Sequence, residues 1–416
     1  MISCSVMSPV RKVFDQNKDL FAQCGLNYNS ATSLLSMPVL GVETLSDLVR
    51  HCPWSYSVST LSRSVKKFAP NRFMRRMQKR ILRRYKDCDN LDPADFCFAI
   101  DDTANPKYGD GIFRSYPFHS SSGPYHGQKV LVVVLVDMKR GIAIPLAYAF
   151  LTSTKDPDHI KAPDVALGLL KDLLAAGFPK LPVVTDSWFD SVDFIRELKT
   201  LGLDFAGEIK STRLVRANPG PHVAWVHLQE FFADEERERL PLSKSQKRRR
   251  KKRGKALSKR TLYVNNLGRP VMGIAVYNRF NGATAFAFYA TTDLSMSGAK
   301  LWQYSRARWC IECLFRDLKQ NLSFGCLPCE GEPGADLSVC LPLMLITSMR
   351  LDGNATWNTN HTTIGKILAQ HREKALSDSI DLIVHNPNHG KVSRLQARRS
   401  NPRSKPTNLC GEKKVA

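Results

Sequence analysis

Acidic residues are scarce in this sequence: 38 Asp and Glu stand against 61 Lys and Arg, a formal charge of +23. So large an excess repels itself in a compact chain unless a polyanion neutralises it, which implies nucleic acid as partner before an anionic membrane. Long apolar runs are lacking too. The longest toward the C-terminus, 339–349, contains Pro342 and falls short of the about 20 residues that span a bilayer, so no membrane partner is expected. The N-terminal MISCSVMSPVRKVF has no apolar core of the length an export signal needs, and a soluble, intracellular chain is expected. The 11 cysteines are then expected as reduced thiols and not as a disulfide framework.

One cysteine pattern has a metal-site spacing. Cys310 and Cys313 are followed, after twelve residues, by Cys326 and Cys329, as in a four-thiolate zinc site. The first pair falls in the middle of a helical stretch, and both pairs read more simply as small apolar fillers, so structural Zn2+ is not expected.

The stretch 301–322, LWQYSRARWCIECLFRDLKQNL, contains neither Pro nor Gly and predicts a single helix. At about 100° per residue, Tyr304, Arg308, Glu312 and Lys319 share a stripe roughly 80° wide. Ile311, Leu314, Leu318 and Leu322 make the adjoining apolar stripe, the side to be buried. An acid between bases on a half-buried helix has a plain reading as a surface ion pair. Other carboxylates in the chain argue for more.

Residues 1–92 read as a basic helical region. Within it, 44–52 and 57–68 have the layout either of a helix-turn-helix presenting Ser59, Thr60, Arg63 and Lys66 to DNA, or of a plain helical unit with a solvated basic face. From residue 93 the texture becomes α/β. Strands are expected at 96–100, 129–138, 142–151, 181–185 and 204–209, with helices at 164–176 and 191–201. Asp101 and Asp186 each follow an apolar strand, where an open α/β sheet gathers functional groups. Each alone would pass for a turn former or cap. Together with Glu312 in so basic a chain they suggest a three-carboxylate site.

Between 214 and 292 the helical pattern gives way to strands at 223–231, 261–265, 271–277 and 285–289, a β-rich insertion. Its loop 244–260 is mostly Lys and Arg, with Arg248, Arg249, Arg250, Lys251 and Lys252 at its centre, and reads as a phosphate contact in preference to a targeting signal. The acidic helix returns at 293–330, helices are expected again at 331–388, and the polar basic tail 389–416 is expected to be disordered.

These residues carry a resemblance. Asp101-Asp102-Thr103, Thr185-Asp186-Ser187-Trp188 and the run TTDLSMSGAKLWQYSRARWCIECLFRDLK, in that order, resemble the DDE transposases of the cut-and-paste insertion-sequence type over about 96–320. Arg308, Glu312 and Lys319 fit the Arg, Glu and Lys of that family's Tyr-Arg-Glu-Lys pattern; the Tyr departs, since Tyr304 stands one place before the expected position, Ser305. The resemblance implies an α/β, ribonuclease-H-like mixed sheet with helices, interrupted by the β-rich insertion and flanked by helical N- and C-terminal regions. It implies Asp101, Asp186 and Glu312 as catalytic and metal-binding residues, with Asp102 as the alternative first ligand, and Mg2+ as cofactor with Mn2+ able to substitute. It also implies double-stranded DNA, both transposon ends and target, as partner, a homodimer in the paired-end complex, and a prokaryotic cytoplasm with the protein on nucleoid DNA.

Tyr304, Arg308 and Lys319, and beyond the fifth strand Lys210 and Arg213, are then the expected DNA contacts outside the basic loop. Trp188, Trp302 and Trp309 are candidates to receive an unstacked base if cleavage passes through a hairpin. His119 and His126 are expected to be structural or phosphate contacts, because the inferred metal is hard. Rival readings are a structure-selective nuclease on the same core, a DNA-binding regulator that has lost the chemistry, and, more distantly, an RNA-binding protein.

Overall fold

In the chain's three-dimensional structure, a computed structural model, the residues described are 8–51, 56–86, 92–107, 111–120, 123–220, 222–233, 256–277, 285–327, 331–352 and seven positions between 364 and 373. Five helices come first: α1 (Ser8–Gln23), α2 (Tyr28–Leu40), α3 (Leu45–His51), α4 (Val58–Lys67) and α5 (Pro70–Lys86). Local chemistry sets their ends. Asn27 and Ser57 cap α2 and α4 by accepting from the N–H groups of Ser30 and Thr60, and Gly41 closes α2 in the left-handed conformation. Pro70 opens α5, where a missing N–H costs nothing. On α4, Ser59, Arg63 and Lys66 are exposed or half-buried while Leu61 and Ser64 are buried.

The central sheet is built on β1 (Phe96–Pro106) and β3 (Gly123–Asp137), antiparallel over their whole shared length from Phe96↔Asp137 to Pro106↔Gly127. The other edge of β3 pairs with β2 (Tyr116–Ser120) and then with β4 (Ile142–Phe150). After α6 (Ala162–Ala175), the short β5 (Val183–Val184) lies parallel to β1. After α7 (Val192–Thr200), a parallel bridge from Val183 to Phe205 brings in β6 (Ala206–Glu208). Strand β1 is longer than the expected 96–100, because β3 goes on satisfying its hydrogen bonds through Asp101, Asp102 and Thr103.

Strand β6 also edges a second sheet, in order β6-β11-β10-β9-β7-β8, made of β7 (Leu214–Arg216), β8 (Val226–His227), β9 (Ala256–Val264), β10 (Pro270–Tyr277) and β11 (Ala285–Thr291). The strand expected at 223–231 is only two residues long. Glu230 reaches back to the His227 N–H in a capping box and turns the following residues into the one-turn α8 (Leu228–Phe231).

The expected single helix 301–322 is two, α9 (Gly298–Ala307) and α10 (Trp309–Asn321), meeting at Arg308. Arg308 keeps helical angles, φ −55° and ψ −37°, but Ile311 donates to the Arg308 carbonyl three residues back, a tightened turn that interrupts the regular ladder. Helix α11 (Glu332–Asp352) follows. Its span 332–351 is long and apolar enough to cross a membrane, unlike the shorter run seen in the sequence, but 83% of its apolar window is buried inside the protein, as befits a core helix. Of the helices expected at 331–388, the part past 352 lies largely outside the described residues, as do the whole basic tail and the 244–255 part of the basic loop.

The pleat of β1 divides the core. Cys97 and Ala99 point to the side packed by α1 to α5 and α9 to α11, and Phe96, Phe98 and Ile100 point to the other. Successive residues of β3 divide the same way, Val130, Val132, Val134 and Val136 against Leu131, Val133 and Leu135. The expected mixed α/β sheet with helices is what the chain forms.

Candidate active site

The alternation that buries Cys97 and Ala99 carries Asp101 onto the same side, facing α9 and α10, and turns Asp102 to the other. Asp102 is occupied there: its carboxylate stands 3.2 Å from Lys129 Nζ. Asp186 arrives by register. Phe98 pairs with Val183 and Ala99 with Val184, so two further steps of that parallel register set Asp186 beside Asp101. There it caps the short turn Ser187–Phe189, accepting from the Trp188 N–H at 3.0 Å.

Glu312 comes from the first turn of α10. Burial of Ile311, Leu314, Phe315 and Leu318 docks that helix, worth on the order of 8 kcal/mol before the cost of ordering it. Arg308 joins two of the acids. Its Nη1 lies 2.5 Å from Glu312 Oε1 and 3.8 Å from Asp101 Oδ2, so those oxygens are no more than about 6.3 Å apart. At the far end of α10, Lys319 Nζ donates at 2.7 Å to the carbonyl of Ala104, three residues past Asp101 on β1.

The acids are in an unfavourable setting for charge. Burial first, and then the charges of Asp186 and Asp102, push Asp101 up to about 7 despite the opposing pull of Arg308. Burial also raises Asp186, against its hydrogen bond from Trp188 and the charge of Arg308. A further group, not anticipated from the sequence, shares the effect. Glu208, the last residue of β6, is raised by burial and feels Arg308, Asp186 and Glu312. Its N–H donates to the Thr185 carbonyl at 3.1 Å, and Tyr289 of β11 stands opposite it. Close approach is possible because residue 207 is glycine: a Cβ there would sit 2.6 Å from the Phe205 ring and 2.9 Å from Thr185 Oγ1.

Not all the expected DNA contacts face this group. Tyr304 is 3% exposed, and its hydroxyl donates to the Ala94 carbonyl at 3.1 Å, below the start of β1 and away from the acids. The break at Arg308 and the packing of α9 against the sheet make it a core residue. Arg213 is engaged internally, donating to the Asp190 carboxylate at 2.6 Å and to its carbonyl at 2.8 Å. Asp190 is buried and also accepts from the Lys210 N–H, while the Lys210 ammonium is half exposed, 3.9 Å from the same carboxylate. Arg248, Arg249, Arg250, Lys251 and Lys252 lie outside the described residues.

Trp188 and Trp309, two residues past Asp186 and one past Arg308, are 65% and 60% exposed. Trp302 instead packs edge-on against Tyr289. His126 Nδ1 shares a hydrogen bond with Ser115 Oγ at 3.1 Å. Cys310, Cys313 and Cys326 are free thiols; Cys329 lies outside the described residues.

The donors are all hard oxygens, with one cationic side chain between two of them, a set that suits a hard divalent ion. Among the described residues no three acids are drawn tightly enough to make a ready metal cage. Arg308 stands in the space between Asp101 and Glu312.

Residues 97–346 match the family model described as Transposase DDE domain. The fold is similar to that of a piggyBac transposase solved in a synaptic complex with hairpin DNA, with a TM-score of 0.43 and 11% identity over 99% of this chain and 84% of that one. It is similar also to the Drosophila P element transposase in a strand transfer complex, with a TM-score of 0.25 and 16% identity over 49% of this chain and 43% of that one. No curated protein matches the chain. The family match takes in β1, β5, α10 and most of α11, and with it Asp101, Asp186 and Glu312: the chain belongs to the DDE transposase family.

Proposed function

We propose that this protein is a cut-and-paste transposase that cleaves double-stranded DNA at the ends of a mobile element and joins the freed 3′-hydroxyl to target DNA, with Asp101, Asp186 and Glu312 as its catalytic acids. The observation that carries the reading is Arg308, whose one guanidinium reaches both Asp101 and Glu312 while the β1–β5 register sets Asp186 alongside. Residues more than two hundred positions apart in the chain meet at one point, and the packing of the fold alone gives no reason to bury so many acids there.

The three carboxylates would hold divalent ions, Mg2+ by preference with Mn2+ as substitute, and what such ions supply when bound is activation of the attacking oxygen and stabilisation of the leaving one. The chain's own part is positioning. In the free protein Arg308 screens Asp101 from Glu312. When those acids are otherwise neutralised, its fork can turn to the phosphate next to the scissile bond, with Lys319 as a point charge on the other side. Trp188 and Trp309, exposed at the rim, offer faces on which an unpaired base at the cut can stack. Of the two expected contacts past β6, Lys210 keeps a place on the DNA track; Arg213 serves as a brace for Asp190. The basic helical region 1–92 is the second DNA-holding part, and pairing of two ends calls for a homodimer.

The test is an incubation of labelled element ends, taken from the DNA flanking the coding region, with Mg2+ and a supercoiled plasmid. Nicking followed by joining to the plasmid is the expected result. Nicking without joining would make the protein a nuclease, and binding without nicking would make it a regulator.

A further inference from the structure

Far from the three acids, helix α5 lines a second concave site. Arg76, Arg80, Arg83 and Arg84 fall at i, i+4, i+7 and i+8, a stripe within about 100° on one side of the helix. They line a cleft of about 360 Å³ whose other walls include Gln16 of α1 and Leu351 at the end of α11. Arg76 holds the Asp19 carboxylate, and the Arg80 guanidinium donates to Gln16 Oε1. Arg83 and Arg84 are exposed and make no ion pair among the described residues. Cations in a last helical turn ordinarily complement the helix dipole, which accounts for Arg83 and Arg84. It does not account for Arg76 and Arg80, one to two turns earlier, or for the concave wall that α1 and α11 raise around all four.

The cleft sits at the wrong end of the sheet to serve the scissile bond. Tyr85, next to Arg84, packs edge-on against Phe96 at the start of β1, and Asp101 is five residues, or roughly 16 Å, further along the strand. At about 3.4 Å of rise per base pair, the Phe96-to-Asp101 span corresponds to about five base pairs.

We propose that the α5 cleft is a DNA-backbone site, in which the arginine stripe grips phosphates of the bound duplex several base pairs from the point of cleavage. The proposal rests on DNA being the substrate. Guanidinium forks match phosphate oxygens two at a time, and the charge of Arg83 and Arg84 is neutralised by ligand in place of protein acids. Such contacts read no sequence, so any duplex long enough to reach the cleft engages it.

The test is a salt titration of the full-length protein on a duplex of about 40 base pairs and arbitrary sequence, by fluorescence anisotropy. Each phosphate that the protein ceases to neutralise lowers the slope of log K against log salt by about 0.9, so Arg83→Ala with Arg84→Ala should flatten it by roughly 1.8. Lys155→Ala with Lys171→Ala, which removes the same charge from the exposed surface on and near α6, is expected to change the slope by less than half as much. Arg83→Lys with Arg84→Lys keeps the charge and should keep most of the slope, which separates the loss of phosphate neutralisation from misfolding. A slope equal to wild type, or to the α6 control, overturns the proposal. So does a slope unchanged while sodium pyrophosphate raises the Tm of wild type but not of the alanine pair, since the cleft would then be a small-anion site. Failure of the wild-type protein to bind the duplex at all would count against the transposase reading itself.

Discussion

Replacing Asp101 by Asn should make the metal-free protein more stable. Asp101 is lifted from the ordinary value of 3.8 to about 7, chiefly by burial and then by the charges of Asp186 and Asp102. The folded state therefore holds its proton more tightly than the unfolded state, so the stability this proton contributes is full below about pH 4 and is lost as pH rises through the window from about 4 to 7. A difference of about three on the pH scale, at about 1.36 kcal/mol each, sets a ceiling of roughly 4 kcal/mol on the loss at pH 8. Asparagine removes the charge and can keep the acceptor that takes the Asp102 N–H at 2.9 Å. Asp101→Asn should thus exceed wild type by about 2–4 kcal/mol at about pH 8 in EDTA and match it at about pH 4. Urea unfolding followed by circular dichroism measures both. Added Mg2+ should narrow the gap at the higher pH, since it binds the native wild type and not the variant. A variant no more stable than wild type there would refute the reasoning, because the charge would then carry no penalty.

Arg308→Ala removes the cation between Asp101 and Glu312, so Mn2+ affinity without DNA should rise by roughly tenfold while cleavage of element ends falls about a hundredfold or more. Titration calorimetry and a nicking assay read the two, and parallel changes would contradict the split role. Gly207→Ala forces a Cβ against the Phe205 ring and Thr185, and should cost about 1–3 kcal/mol in urea unfolding. Tyr304→Phe loses the bond to the Ala94 carbonyl, about 1 kcal/mol, and should leave duplex affinity unchanged. Weakened DNA binding would place Tyr304 on the DNA face after all.

Packing leaves a periodic trace in a sequence, and the periodic parts of this fold are the legible ones. The valines and leucines at 130–136 mark β3 as a strand buried on both faces, and the apolar positions of α10 are those that dock it. Asp101 and Asp186 stand out by their place at the end of apolar runs. The same criterion points to Glu208, the acid closing Phe205-Ala206-Gly207, although the shortness of that run makes it a weak signal. The break at Arg308 leaves no such trace. No Pro or Gly marks it; it depends on how α9 and α10 lie against a sheet assembled from residues hundreds of positions earlier. That break is why Tyr304 leaves the stripe it would share with Glu312 on an ideal helix. The role of Arg213 is hidden for a similar reason, since only the tertiary fold buries its partner Asp190.

Asp101, Asp186 and Glu312 are held to act as one divalent-ion site. Titration calorimetry of Mn2+ into wild type, Asp101→Asn, Asp186→Asn and Glu312→Gln at about pH 7.5 tests this without knowledge of the DNA ends. Saturable binding to wild type is predicted, with a loss of at least about tenfold in affinity for each of the three variants. Any one of them binding Mn2+ as wild type does would contradict it.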